Sequence, residues 1–222
     1  MEAETMKLMI ASDIHGSSAY CTRMLDAFRR EAPDRLLLLG DILYHGPRNG
    51  LPAEYDPKMV IDVLNAAKDK VLCVRGNCDA EIDQMVLEFP ILADYCILYI
   101  GGRMIFATHG HHYNKKALPP LMPGDILLHG HTHVPAWERV SIGEENPAEQ
   151  IMKEDKAADP FVYYFNPGSV SFPKENSPHG YMVMEEKLPS DPEKLPEEKP
   201  APALLRVQWK DLDGTVYHEE ML

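Results

Sequence analysis

Arg35-Leu36-Leu37-Leu38-Leu39-Gly40-Asp41 decides how the rest of the chain is read. Four consecutive leucines between a charged start and a glycine read as a strand buried on both faces. A carboxylate at the C-terminal tip of such a strand sits where open α/β sheets carry their ligand chemistry, so Asp41 is aimed into a crevice. A lone Gly-Asp pair reads better as a turn or a helix cap. The neighbouring strand ends overturn that reading.

Upstream, Lys7-Leu8-Met9-Ile10-Ala11-Ser12 is a short apolar segment that stops at Asp13-Ile14-His15-Gly16. A helix follows, capped by Ser17 or Ser18, with Met24, Leu25 and Phe28 at helical spacing. Asp13 and His15 therefore lie on a strand-to-helix turn. Downstream, a loop of turn formers from Tyr44 to Gly50 leads to Asp56-Pro57, which opens a second helix through Met59, Val60, Val63 and Leu64. A third buried strand, Val71 to Arg75, ends at Gly76-Asn77-Cys78-Asp79. Three strands with polar tips predict βαβ crossovers that bring all the tips to one edge.

The second half has a different pattern. Ile97 to Ile100 and Met104 to Ala107 form a hairpin about Gly101-Gly102, and the second strand delivers Thr108-His109-Gly110. Asp125 to Leu128 is another buried strand, ending in His129-Gly130-His131-Thr132-His133. Further strands are expected at Trp137–Ile142, Phe161–Phe165, Tyr181–Met184, Leu204–Trp209 and Val216–His218. The expected fold class is α/β, becoming mainly antiparallel, with two sheets face to face and helices outside. Acidic stretches near 143–160 and 187–202 lack large apolar residues and read as solvated loop insertions.

Composition sets limits. A chain of 222 residues with 45% hydrophobic residues is expected to form a single domain over residues 1–222. A formal net charge of −13 argues against sequence-independent nucleic-acid binding, which depends on a basic surface. An anionic ligand would instead be drawn by bound cations. No apolar run approaches the roughly 20 residues of a membrane span, and the first residues lack a signal-peptide pattern. The expected protein is soluble and cytoplasmic. Four cysteines without a CxxC pair fit reduced thiols better than a disulfide framework.

Asp13, His15, Asp41, Asn77, His109, His131 and His133 all offer nitrogen or oxygen donors, and all follow expected buried strands. Seven such groups in five loops at one edge point to metal binding. Two dications about 4 Å apart repel by roughly 16 kcal/mol at an effective dielectric of about 20, so a two-metal site needs a bridging anion. Asp41 is placed to bridge. Asp13, His15 and one histidine of the His131-Thr132-His133 pair would complete one ion's shell, and Asn77, His109 and the other histidine the second. Alternation along an extended segment would send both imidazoles to the same side. With no thiolate assigned, manganese, iron and zinc all suit the donors.

Taken in order, Asp13-x-His15, Gly40-Asp41, Gly76-Asn77-Cys78-Asp79, His109-Gly110-His111 and Gly130-His131-Thr132-His133 resemble the calcineurin-like metallophosphoesterase superfamily. The stretches Ala11–Ser17, His45–Asn49, Arg75–Asp79 and Asn166–Ser171 are similar to its small bacterial phosphodiesterases of the YfcE type. The resemblance covers about residues 7 to 186. It implies a four-layer α/β/β/α sandwich of two mixed sheets, two divalent metal ions, often manganese, and hydrolysis of a small phosphodiester substrate. It also implies Asp13, His15, Asp41 and His133 around one ion and Asp41, Asn77, His109 and His131 around the other. Homo-oligomers are common in the family.

Mechanistically, the expectation is metal-assisted hydrolysis by in-line attack of a bridging hydroxide. Asp41, Asn77, His109, Cys78 and Asp79 are the candidate catalytic residues, with Asp79 orienting a neighbour. Many phosphatases of the superfamily carry histidine where this chain has Cys78. A thiol is a poor replacement as an acid, so activated aryl leaving groups should be favoured. His45 and Arg48 are candidate substrate contacts. His111 and His112 are expected to shape their loop or border the site, His129 to pack beneath it, and Asn166–Ser169 to form a turn, with a supporting role behind the metals as the weaker alternative. Two alternatives remain: a phosphomonoesterase or nucleotidase using the same site, and a non-catalytic scaffold like the retromer subunit of similar fold.

Overall fold

The computed structural model describes residues 5–142, 160–187 and 204–222. Apart from Pro160 and Lys187 at their ends, both acidic stretches lie outside the described residues. In chain order the elements are β1 (Lys7–Ala11), α1 (Ser18–Glu31), β2 (Arg35–Leu38), α2 (Pro57–Asn65), β3 (Val71–Cys73), β4 (Tyr95–Ile100), β5 (Arg103–Thr108), β6 (Ile126–Leu128), β7 (Ala136–Ser141), β8 (Phe161–Asn166), β9 (Gly180–Lys187), β10 (Leu204–Asp211) and β11 (Val216–Met221). Six strands form one sheet in the order β11-β10-β9-β1-β2-β3, and five form a second in the order β4-β5-β6-β8-β7. Both sheets are mixed.

The leucine run is buried on both faces because two different cores claim alternate residues. Leu36 and Leu38 pack toward the helices with Met9, Ala11, Met24 and Val60, whereas Leu37 and Leu39 enter the space between the sheets with Leu8, Ile10, Ile126 and Phe165. β1 pairs in parallel with β2, and β2 with β3, as expected of two successive βαβ crossovers. Ser17 caps α1, its hydroxyl accepting from the Tyr20 amide at 3.4 Å, and Asp56 caps α2, accepting from the Met59 amide at 3.0 Å with Pro57 in the first turn.

Two features differ from the sequence expectation, and one, the placement of the last three strands, goes beyond it. β3 is shorter than expected and forms the sheet edge, so its middle residue Leu72 is exposed instead of buried. β9, β10 and β11 return to the first sheet, where β9 lies antiparallel to β1. On the outer face of the second sheet, Phe106, Leu127 and Tyr164 are covered by Tyr113, Leu118 and Leu121 from a connection that contains no helix. Each strand of the β5-β6-β8 group runs parallel to its neighbour, and this brings the ends of β5 and β6 to the edge occupied by the tips of β1, β2 and β3.

Candidate metal centre

Asp13, His15, Asp41, Asn77, His109, His131 and His133 converge at that edge. Asp41 Oδ2 lies 3.7 Å from His15 Nε2 on one side and 3.4 Å from His109 Nε2 on the other. Around His15, Asp13 Oδ1 stands 3.7 Å from its Nε2 and 3.3 Å from His133 Nε2, and the two ring nitrogens are 3.3 Å apart. Around His109, its Nε2 is 3.1 Å from Asn77 Oδ1 and 3.2 Å from His131 Nδ1. Two donor groups thus share one carboxylate.

The backbone fixes which lone pairs face inward. Nδ1 of His15 meets the Tyr44 carbonyl at 2.8 Å, that of His109 the Leu39 carbonyl at 2.7 Å, and that of His133 the Phe172 carbonyl at 2.8 Å. A carbonyl only accepts, so each Nδ1 carries a proton, and in the neutral ring Nε2 presents its lone pair to the cluster. Lone pairs 3.3 Å apart beside carboxylates call for a cation between them. Asp13 Oδ1 is fully buried and has no hydrogen-bond donor aligned on it, which fits the same need. Carboxylate, amide and imidazole donors match a divalent first-row ion.

Five of the seven residues sit in the left-handed region: Asp13 (φ 59°), His15 (49°), Asp41 (56°), His131 (66°) and His133 (63°). Non-glycine residues adopt this conformation at a cost of about 1–2 kcal/mol each, and such strain gathers at functional sites. This corrects the expectation of an extended His131-Thr132-His133. Two left-handed residues flank Thr132, and the turn they make, not strand alternation, directs both rings inward. His131 presents Nδ1 and His133 presents Nε2.

Supporting groups hold the turns. Asp79 accepts backbone N–H bonds from Asp41 and Ile42 at 2.8 Å and from Gly76 at 2.7 Å, so it braces the turn that carries Asp41. A side chain at Gly76 would collide with the Asp41 carboxylate and amide, which explains the glycine between the β2 and β3 tips. Asn166, fully buried, donates to Gly130 O at 2.8 Å and Thr132 Oγ1 at 3.0 Å, and its carbonyl accepts from Gly168 N at 2.7 Å. Ser169 and Ser171 hydroxyls donate to the Asp13 carbonyl at 2.9 and 3.1 Å. The Asn166–Ser171 segment is therefore more than a turn: it holds two of the ligand-bearing loops. His129 packs beneath them against Tyr164 with ring centres 4.0 Å apart, and His111 borders the site 5.4 Å from the His109 ring.

A cleft of about 580 Å³ opens over the cluster, lined by Asp41, Arg48, Asn77, Cys78, Thr132 and Lys174 among others. Arg48 lies in the cleft. His45 is not among its lining residues, and its ring packs against Tyr44 and Tyr55 at 4.7 and 5.3 Å. The sequence reading did not single out Thr132, Phe172 or Lys174. Phe172 lies edge-on to the His15 ring at 5.7 Å, and nothing in its local sequence signals that role.

Electrostatics follow from burial and proximity. Burial opposes ionisation of Asp13, but His133 and His15 beside it prevail and hold its pKa well below the usual 3.8; Asp41 is lowered by His109 in the same way. Burial also opposes protonation of His109, yet Asp41 and Asp13 raise it from 6.5 to about 9, and Asp13 likewise raises His15. Burial lowers His131, aided by the charge on His109, and takes His129 and His111 down to about 4. Asp79 is raised by burial against its three N–H donors, and Cys78 is pushed up to about 12 by burial and then by Asp41, so its thiol keeps its proton.

These shifts make opposite predictions for the chelated and loaded protein. Raised His109 and His15 stabilise the metal-free fold fully below about pH 6.5, and the contribution from His109 disappears as pH rises through about 9. Lowered Asp13 and Asp41 stabilise above about pH 3.8 and lose this in acid. In excess chelator, Tm is expected to fall between pH 6.5 and 9, whereas in excess divalent ion it should rise there as protons cease to compete. Equal slopes in the two titrations would rule out a shared site for proton and ion.

The fold and the donor geometry define a metallophosphoesterase-type site. Residues 6–187 match the calcineurin-like phosphoesterase superfamily domain, and the chain belongs to that superfamily of phosphoester hydrolases. It is 43% identical over 180 residues to phosphodiesterase YfcE of Escherichia coli (strain K12), a match covering 81% of this chain and 88% of the relative. The solved structure of Yfce, a phosphoesterase from E. coli, superimposes with a TM-score of 0.75 at 38% identity over 97% of this chain and 98% of that one. Zinc-complexed Vps29 of Entamoeba histolytica shares the fold at a TM-score of 0.51 and 19% identity, over 98% of both chains. No helix among the described residues is long and apolar enough to cross a membrane.

Proposed function

We propose that the chain is a phosphodiesterase holding two divalent ions, with manganese the working metal, and that it acts on small phosphodiesters. The observation that carries this reading is Asp41 Oδ2 standing between His15 and His109, each with its own further donors. Asp13, His15, Asp41 and His133 would hold one ion; Asp41, Asn77, His109 and His131 would hold the other. Bound there, the ions supply Lewis-acid stabilisation of phosphoryl oxygens and water activation near neutral pH. The 43% identity to a named phosphodiesterase supports the diester over the monoester reading.

The chain's own groups position the reaction. Leu39, Tyr44 and Phe172 carbonyls keep protons on Nδ1 of three histidines, so their Nε2 atoms stay free to ligate. Asp79 and Asn166 hold the turns on which the donors ride. Arg48, exposed at the cleft wall, meets the substrate phosphate. Displacement at phosphorus is in line, and the departing oxygen must leave without a strong acid from the chain because Cys78 remains a thiol.

Chelated and manganese-supplemented protein should be compared on bis(p-nitrophenyl) phosphate and p-nitrophenyl phosphate, alongside metal analysis. The expected result is two ions per chain and ion-dependent turnover favouring the diester. A preparation that binds no ion and shows no ion-stimulated hydrolysis would indicate a scaffold; faster monoester turnover would indicate a phosphomonoesterase. Cys78→His supplies an imidazole beside the leaving oxygen. It is expected to lower the diester-to-monoester turnover ratio by about tenfold, a modest share of what general acids contribute. An unchanged ratio would remove Cys78 from leaving-group selection.

A further inference from the structure

Lys174 has no place in the metal cluster, yet it is built into the wall above it. Its amide donates to the His133 carbonyl at 3.1 Å, and its own carbonyl accepts from the Ser177 amide at 3.0 Å and hydroxyl at 2.6 Å. Glu175 and Asn176, at φ 56° and 57°, close this turn, and the Phe172 carbonyl two residues earlier accepts a hydrogen bond from His133 Nδ1–H at 2.8 Å. The base of the lysine is thus fixed to a candidate ligand, while the residue is exposed and lines the cleft. Lys7, Lys115 and Lys210 each meet a glutamate, but among the described residues neither Lys174 nor Arg48 has a carboxylate within ion-pair distance.

The cleft lining therefore contributes two unpaired cations against one carboxylate, Asp41, and that carboxylate faces the donor cluster. In a chain of net charge −13, two free cations on the wall of one cleft stand out from the acidic floor formed by Asp13 and Asp41. At about 580 Å³ the cleft also has room for a ligand well beyond one phosphoryl group, within the usual range for small-molecule sites. A diester phosphate carries one negative charge, for which Arg48 and the metal centre already provide.

Resting on the phosphodiesterase reading, we propose that Lys174 is a specificity-determining residue that binds a second phosphate of the substrate, remote from the reacting phosphorus. The favoured substrates are then phosphodiesters bearing a further terminal phosphate. Lysine suits this task as a mobile point charge, and at an exposed site its effect is screened by salt.

The test uses the manganese-loaded full chain at low ionic strength and the p-nitrophenyl ester of thymidine 5′-phosphate, with and without a 3′-phosphate. Wild type is expected to prefer the 3′-phosphorylated ester in kcat/KM. Lys174→Gln should reduce that preference by about tenfold through KM, Lys174→Arg should restore most of it, and high salt should erode it. Calorimetry should show the same loss in the affinity ratio of thymidine 3′,5′-bisphosphate to the 5′-monophosphate. The inference is overturned if the preference survives in Lys174→Gln, or if wild type turns over both esters without preference. An equal rise in KM for both esters also overturns it, by assigning Lys174 to the reacting phosphate. Should wild type hydrolyse neither ester but cleave p-nitrophenyl phosphate, the phosphodiesterase reading fails first and this inference with it.

Discussion

Asp41→Asn is expected to lower kcat on an aryl phosphodiester by about 10³-fold, equivalent to about 4 kcal/mol in the barrier. The substitution keeps the shape of the side chain and the bond that Oδ1 accepts from the Cys78 amide at 2.8 Å. What it removes is the charge on the oxygen between His15 and His109. If the chain holds two dications as proposed, they would then repel with little to screen them, so metal content should fall below two per chain. Pre-steady-state turnover combined with metal analysis checks this. A variant that kept both ions and more than a tenth of the activity would show that Asp41 does not bridge.

The largest effect on stability is expected from Asp79→Asn. The carboxylate answers three backbone N–H groups from a buried position, and an amide can answer only part of them while turning its own NH₂ toward a donor. Charge-assisted hydrogen bonds contribute about 1.5–3 kcal/mol each, so a loss of about 3 kcal/mol is expected, or about 6–12 °C in Tm for a chain of this size. Activity should fall as well, since Asp41 at φ 56° relies on this brace. Thermal unfolding of the metal-free variant beside wild type isolates the brace from ion binding. A Tm within about 2 °C of wild type would mean the turn holds itself.

Asp41 is legible in the sequence for a physical reason. Strands buried on two faces carry a continuous apolar signature, and whatever polar residue ends such a run must sit at the sheet's edge, so Asp13, Asp41, His109 and His131 could be placed from local pattern alone. Edge strands lack that signature on one side, and Leu72 was accordingly misjudged. Strand return is decided by pairing partners far apart in the chain, so the insertion of β9 between β10 and β1 left no mark in its own residues. The same holds for Lys174 and Phe172, which reach His133 and His15 from another part of the fold. Asn166, Ser169 and Ser171 leave a signal, a polar turn after an aromatic strand that allows a supporting role, but the groups they hold, Gly130, Thr132 and Asp13, come from distant parts of the chain.

The donors come from both sheets: Asp13, Asp41 and Asn77 follow β1, β2 and β3, and His109, His131 and His133 follow β5 and β6. Asp13 is further gripped by hydroxyls more than 150 positions later in the chain. A nascent chain or a half-assembled intermediate therefore possesses fragments of the centre but never the centre itself. If the proposed ions bind, their capture must wait until the distant halves of the chain have met.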